Sequence, residues 1–130
     1  YLLLIKNPAG FTQVLETFLM GQKAPVALMV VNDKFADGRD VSWLWDVPLE
    51  ALARLQPRVW TAGIRGADMA LRLHYAGVDA KAAPSLDQAL EAVVAATPEG
   101  GRVFILPTYT AMLEVRQRLG RLVELEVVRA

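Results

Sequence analysis

The chain has 130 residues, and its 14 basic and 14 acidic side chains cancel to a formal net charge of zero. A neutral chain is a poor candidate for nucleic-acid binding, which depends on clustered Lys and Arg. Cysteine is absent and there is one histidine, which excludes a disulfide framework, a structural zinc site and a cysteine nucleophile within this sequence.

The first predicted elements are a strand, a helix and a second strand. Residues 2–6 form a short apolar run that indicates a strand rather than a signal peptide, because no basic segment or small-residue cleavage site accompanies it. Apolar residues at helical spacing over residues 11–20 predict a helix. Residues 25–32 predict a second buried strand. All apolar runs are too short or too interrupted to span a bilayer.

The rest of the chain continues the alternation. Asp46 and Pro48 indicate the start of a helix that runs to about residue 55. The further predicted elements are strands at residues 58–61, 78–82 and 103–106, helices at residues 67–75, 85–96 and 109–119, and an edge strand at residues 122–128.

Strands that alternate with helices imply βαβ crossovers. We therefore expect a single α/β domain with a three-layer, Rossmann-like architecture. Its mainly parallel sheet would have about five to six strands, with helices on both faces. The hydrophobic content of 54% suits central strands that are buried on both sides. Ligands of such sheets bind outside the carboxyl ends of the strands, where this chain places residues 7–10, 32–42, 63–68 and 107–110.

A charged loop follows the second strand, with carboxylates at Asp33, Asp37 and Asp40. It can be an ordinary solvated loop. It can also be a functional site, because it lies at the carboxyl end of a strand and the mainly apolar residues 41–45 follow it directly. Trp43 and Trp45 would then either enter the core or form a contact patch for a partner. A carboxylate in this loop could orient the imidazole of a partner protein.

Two other loops also allow two interpretations. Backbone amides at the helix start near Arg65 and Asp68 can bind an anion, or the glycines there can simply make a tight turn. Thr108 or Thr110 is expected to cap the last helix. The sequence contains no G-x-x-x-x-G-K-[ST] phosphate loop and no G-x-G-x-x-G after the first strand, which disfavours an independent nucleotide enzyme.

Several ordered blocks resemble the carboxy-terminal domain of the MurT family, within the Mur ligase superfamily. The blocks are Lys-Asn-Pro-Ala-Gly-Phe-Thr-Gln-Val at residues 6–14, Asn-Asp at residues 32–33, Ala-Asp-Gly-Arg-Asp-Val-Ser-Trp-Leu-Trp-Asp at residues 36–46, Gly-Ile-Arg-Gly-Ala-Asp-Met-Ala-Leu-Arg at residues 63–72, and Ile-Leu-Pro-Thr-Tyr-Thr-Ala-Met at residues 105–112. They are spread over nearly the whole chain, and together they are far more specific than any one alone.

The resemblance implies a function. Members of this family use ATP to activate the α-carboxylate of D-glutamate in lipid II, and a GatD-like glutaminase supplies ammonia to form D-isoglutamine. ATP and Mg²⁺ are expected mainly in a preceding central domain, which also carries a zinc insertion; this sequence contains neither. Residues 1–130 are thus expected to be one Mur ligase-type carboxy-terminal domain without its own zinc, located in the cytoplasm, at the inner membrane face where lipid II lies.

The resemblance also implies site residues. An aspartate of this domain is expected to complete the Cys-His dyad of the glutaminase; Asp40 is the first candidate and Asp37 the second. The expected residues for the substrate or nucleotide are Asn7, Arg39, Arg65 and Asp68, and those for the partner are Trp43 and Trp45. The alternatives are a non-catalytic module that only recruits the glutaminase, and a self-contained small-molecule-binding domain.

Overall fold

Six strands form one sheet in which every neighbouring pair is parallel. The computed structural model describes residues 1–120 and 127–129. The strands are β1 (Leu2–Leu4), β2 (Val26–Val30), β3 (Arg58–Ala62), β4 (Ala80–Ala82), β5 (Val103–Pro107) and β6 (Val127–Arg129), in the spatial order β4-β3-β2-β5-β1-β6. The predicted parallel sheet of five to six strands is confirmed.

Among the described residues, five α-helices cover both faces of this sheet. They are α1 (Pro8–Val14), α2 (Glu50–Ala53), α3 (Gly66–Tyr75), α4 (Leu86–Ala96) and α5 (Tyr109–Leu119). The first three pack in one layer, and α4 and α5 pack in the other. The layer changes when the chain returns from the edge strand β4 to β5 inside the sheet, as right-handed crossovers require.

Alternate residues of β2 fill the two layers of the core. Val26, Leu28 and Val30 belong to one cluster of buried residues, and Ala27 and Met29 belong to the other. All five residues of β2 are buried, which explains the continuous apolar run in its sequence. The register aligns Val30 with the ends of both neighbouring strands, so the loops after β2, β3 and β5 meet at one edge.

Several predicted boundaries differ from the structure. The first helix begins earlier, at Pro8, because the Asn7 side chain accepts a hydrogen bond from the Gly10 amide and caps it. It then widens into a π-helical segment, Leu15–Leu19, where the Met20 amide reaches the Leu15 carbonyl. Strand β4 is also shorter than predicted.

The predicted helix after Asp46 is wrong in extent. Two 3₁₀ helices, Phe35–Asp37 and Ser42–Asp46, precede α2, which has only four residues. Asp46 ends the second of them instead of capping a helix. The predicted edge strand is observed only at β6, because residues 122–126 lie outside the described residues. No helix among the described residues is long and apolar enough to cross a membrane.

Candidate functional site

One buried side chain joins the loops at the carboxyl edge of the sheet. Asn32 follows β2 and is 2% exposed. Its amide nitrogen Nδ2 donates to Thr110 Oγ1 (3.1 Å), and its Oδ1 accepts from the Ile64 amide (2.9 Å). Its backbone amide donates to Thr108 Oγ1 (2.9 Å). The loops after β2, β3 and β5 are therefore fixed to one another through Asn32.

Asp37 caps helix α5 from a distant loop. Its Oδ1 accepts from the Thr110 amide (2.7 Å), and its Oδ2 accepts from the Lys34 amide (3.1 Å). The expectation that a threonine side chain caps this helix is wrong. Thr108 stands at the cap position without making a side-chain cap, because its hydroxyl accepts from Asn32 instead. Sequence reasoning missed this exchange, which joins positions far apart in the chain.

Asp40 lies on the surface beside the second 3₁₀ helix. The Ser42 amide donates to Asp40 Oδ1 (2.9 Å). Two hydrogen bonds from Ser42 hold the pKa of Asp40 below its usual value. The bond from the backbone amide is the larger cause, and the bond from the side chain is the smaller one. A hydrogen bond to the ionised form favours that form, so Asp40 presents a fixed, ionised carboxylate to solvent.

Arg65 lies between two carboxylates where the chain passes from β3 to α3. Its Nε donates to Asp68 (2.6 Å) and its NH1 donates to Asp33 (3.1 Å). Hydrogen bonds to these two carboxylates raise the pKa of Arg65 above its ordinary value. The bond to Asp68 is the larger cause and the bond to Asp33 is the smaller one. The same contact with Arg65 lowers the pKa of Asp68. The charge of Arg65 is thus already matched within the chain.

A shallow pocket of about 270 Å³ opens at this edge. Its lining consists of Arg39, Asp40, Val41, Ser42, Leu44, Trp45, Arg65 and Asp68. The structure therefore brings together five of the eight predicted site residues, although they come from two separate segments of the chain, residues 39–45 and 65–68. It does not bring Asn7, Asp37 or Trp43 into this pocket. Asn7 and Asp37 each cap a helix.

The two tryptophans of residues 41–45 have different surroundings. Trp43 is half-buried against the core and meets the ring of Phe11 edge-on, with centroids 6.3 Å apart. Trp45 is 50% exposed. Its ring lies beside Tyr75 (5.7 Å between centroids), which is 69% exposed. Trp45 and Tyr75 form an exposed aromatic pair next to the pocket. Most of the Trp43 side chain packs against the core.

Arg72 is a residue of this site that sequence reasoning missed. It lies in α3 and is 4% exposed. Its Nε donates to the Leu44 carbonyl (3.0 Å), and its NH2 donates to the Val47 carbonyl (2.7 Å) and to Glu50 (3.0 Å). The Arg72 guanidinium also lies 5.2 Å from the centre of the Trp45 ring. No local pattern predicts it, because an arginine in a helix is usually exposed.

The charges of the pocket limit the ligands that it can hold. Among residues 1–120 and 127–129, no carboxylate forms an ion pair with Arg39, so Arg39 can bind an anion at the rim. Asp40 and Asp68 line the same pocket, so its two arginines and two aspartates leave it without net charge. The same part of the chain contains no group of three His, Cys, Asp or Glu that could hold a metal ion. A ligand of this pocket would therefore meet both a cationic group at the rim and a carboxylate.

Comparison with known proteins points to one family. Residues 4–112 match the family model described as MurT ligase C-terminal. The chain is 34% identical over 122 residues to a Streptococcus pneumoniae R6 protein named lipid II isoglutaminyl synthase (glutamine-hydrolyzing) subunit MurT; the match covers 91% of this chain and 27% of that protein. Proteins of the same name from Staphylococcus aureus strains COL and N315 are 30% identical over 119 residues, with the same coverage. The chain thus spans 27% of the length of these relatives.

Proposed function

Because this chain belongs to the MurT ligase C-terminal family, we propose that it is the carboxy-terminal domain of a lipid II-amidating ligase subunit. With a GatD-like glutaminase, the whole ligase would convert the D-glutamate α-carboxylate of lipid II to D-isoglutamine at the cytoplasmic face of the membrane. The names of the relatives, a subunit of a glutamine-hydrolyzing synthase that acts on lipid II, support this proposal. ATP and Mg²⁺ would bind mainly in the part of those relatives that this chain does not span.

The observation that carries the proposal is the fixed, exposed carboxylate of Asp40. In our proposal, Asp40 completes a catalytic triad in the glutaminase by accepting a hydrogen bond from the Nδ1–H of the partner's histidine. This contact would hold the imidazole in the tautomer that can take a proton from the partner's cysteine, and it would stabilise the imidazolium that results. The hydrogen bond from Ser42 favours the ionised form of Asp40, which is the form that this role requires.

Asp40 suits this role better than Asp37, the second candidate. Both oxygens of Asp37 already accept hydrogen bonds within the chain, and turning Asp37 towards a partner would uncap α5. Asp40 is exposed and accepts from Ser42, which lies only two positions away. A carboxylate can accept about four hydrogen bonds, so Asp40 can bind an imidazole without giving up Ser42.

The exposed aromatic pair would supply the contact between the two subunits. Trp45 borders the same pocket as Asp40, so a partner whose histidine reaches Asp40 would also cover the Trp45 ring. Aromatic side chains at the centre of an interface often contribute much of its binding energy. Trp43 remains a predicted partner contact, but less of its surface is available for one.

On the ligase side, Arg39 is the stronger candidate of the two arginines. It has no ion-pair partner among the described residues, so it can contact a phosphate or carboxylate at the rim of the pocket when the domains of the ligase close. Arg65 would first have to leave Asp33 and Asp68. Asp68 and Asn7 stay as predicted contacts for the substrate or nucleotide.

The alternative function is a module that only recruits the glutaminase, and it is favoured by the exposed Trp45–Tyr75 pair. The test uses the full ligase subunit together with the glutaminase subunit. In our proposal, Asp40→Asn lowers glutamine hydrolysis by about 100-fold or more, while the complex still forms and added ammonia still supports amidation. Asp37→Asn is the matched control and should keep most of the glutaminase activity.

The other outcomes decide between the two functions. If Asp40→Asn and Asp37→Asn both keep full glutamine hydrolysis, the proposed triad is wrong. If Trp45→Ala abolishes complex formation while neither aspartate variant affects turnover in the assembled complex, the recruiting module is the correct interpretation.

A further inference from the structure

Arg72 of α3 contacts four residues of the segment 44–50. A guanidinium carries five N–H donors in a planar fork and is always charged, so burying it requires several acceptors. Arg72 finds the carbonyls of Leu44 and Val47, the carboxylate of Glu50 and the face of the Trp45 ring. All four partners lie in one short segment, more than twenty residues before Arg72 in the chain.

The carbonyls that Arg72 binds lie at the carboxyl end of the 3₁₀ helix Ser42–Asp46. The last carbonyls of a helix have no partner within the helix, and this end carries partial negative charge. Two local backbone contacts lie at this end, from the Val47 amide to the Leu44 carbonyl (3.4 Å) and from the Leu49 amide to the Val47 carbonyl (2.8 Å), and Arg72 adds a second donor to each carbonyl. Arg72 therefore acts as a tertiary cap that joins the end of the 3₁₀ helix to α3.

The other end of the same 3₁₀ helix holds Asp40. The helix begins at Ser42, whose amide donates to Asp40. With a rise of roughly 2 Å per residue, Ser42 and Asp46 are separated by about 8 Å along the helix axis. A movement of the turn at the Arg72 end would therefore change the position of the Ser42 amide and of the carboxylate that it holds.

We infer that Arg72 is a positioning residue: it fixes the Ser42–Asp46 turn against α3 and thereby sets the place of the Asp40 carboxylate and the Trp45 ring at the pocket. The inference rests on the proposed function, in which Asp40 meets the partner's histidine. The need for accurate placement is physical, because misplacing a catalytic group by about 1 Å can lower a rate by about 100-fold.

The experiment compares Arg72→Lys with a control that weakens the fold in the opposite layer of the domain. A lysine keeps the positive charge but cannot bind two carbonyls and a carboxylate with one planar fork. Val93→Ala removes a buried side chain of α4, which packs in the opposite layer of the core from the turn. Glu50→Gln, which loses only the charge opposite Arg72, is a milder variant in case Arg72→Lys folds poorly. All variants are measured in the full complex with the glutaminase subunit.

The expected result has three parts. Arg72→Lys lowers kcat for glutamine hydrolysis by about 10-fold to 100-fold, without changing the KM for glutamine or the amidation driven by added ammonia. Amide hydrogen exchange becomes faster in residues 41–47. The double variant with Asp40→Asn is no slower than Asp40→Asn alone, because Arg72 acts through Asp40. Val93→Ala lowers the melting temperature but, well below it, changes neither kcat nor exchange in residues 41–47.

Three results would overturn the inference. They are unchanged exchange in residues 41–47 of Arg72→Lys, additive losses in the double variant, and an equal loss of kcat in Val93→Ala. Failure of the proposed function gives a different pattern, since Asp40→Asn would then keep full turnover. In that case the exchange measurement alone decides whether Arg72 holds the turn.

Discussion

Asp37 and Thr110 lie 73 residues apart in the chain, yet the Asp37 carboxylate accepts both the backbone amide and the hydroxyl of Thr110. The contact gives the first turn of α5 a cap that its own sequence does not provide. It also attaches the charged loop to the opposite layer of the domain. Asp37 is thus bound to a distant helix, whereas Asp40 accepts a hydrogen bond from Ser42, two positions away.

We expect replacement of Asp37 to affect stability. Asp37→Ala removes the cap of α5 and should lower the free energy of unfolding by about 1–2 kcal/mol. Asp40→Ala removes a surface carboxylate and should leave it nearly unchanged. Urea denaturation of the 130-residue chain measures both values. Equal losses for the two variants would show that Asp37 is not the structural member of the pair.

The titration of Asp40 should reflect its contact with Ser42. Hydrogen bonds to the ionised form lower its pKa below the usual value of 3.8, so the carboxylate stays ionised at all pH values above this range. The small stability that it contributes is present above the unfolded-state pKa and is lost as the pH falls through the folded-state pKa. A carboxyl ¹³C NMR titration measures the midpoint.

Ser42→Ala provides the control for that titration. It removes the hydroxyl but leaves the backbone amide, which is the larger cause of the shift. The midpoint of Asp40 should therefore rise only part of the way towards its usual value. A wild-type midpoint above 3.8 would contradict the assigned contact.

Gly63 should not tolerate a side chain. Its φ is +93°, and a Cβ atom would lie 2.6 Å from the Val31 carbonyl oxygen and 2.8 Å from Asn32 Oδ1. Gly63→Ala should lower the free energy of unfolding by about 2–4 kcal/mol, since backbone strain and a displaced buried hydrogen bond both contribute.

Gly38→Ala is the matched control for Gly63→Ala. Its φ is +85°, but no atom lies within 4 Å of the added Cβ, so only the backbone conformation should cost about 1–2 kcal/mol. Thermal or urea unfolding of both variants separates crowding from strain. Similar losses at the two positions would mean that the Val31 carbonyl and the Asn32 side chain can move away from the added Cβ at little cost in free energy.

The alternation of strands and helices was enough to predict the architecture, because periodicity and buried apolar runs depend on local sequence. The same reasoning placed Arg39, Asp40, Arg65 and Asp68 at one edge of the sheet, and they do share a pocket. This prediction required only that the carboxyl ends of parallel strands lie at the same edge of a sheet.

Side-chain partners were not predictable in the same way. Arg72 and its carbonyl acceptors, Asn32 and its three loops, and Asp37 and its helix are all long-range pairs. Nothing near any of these residues indicates its partner, because the contact exists only after the sheet has formed. The loss of the expected threonine cap has the same origin: Thr108 is engaged by Asn32 from another strand.

The hydrogen bonds of Asn32 have a consequence for the heat-capacity change of association at this edge of the sheet. Three loops at the edge of the sheet are ordered when the domain folds, so their entropy is lost at that stage and not when another protein arrives. Association at this edge should therefore resemble the docking of two rigid bodies, with little change of backbone conformation. Its heat-capacity change should match the apolar area buried, without the larger signal of coupled folding.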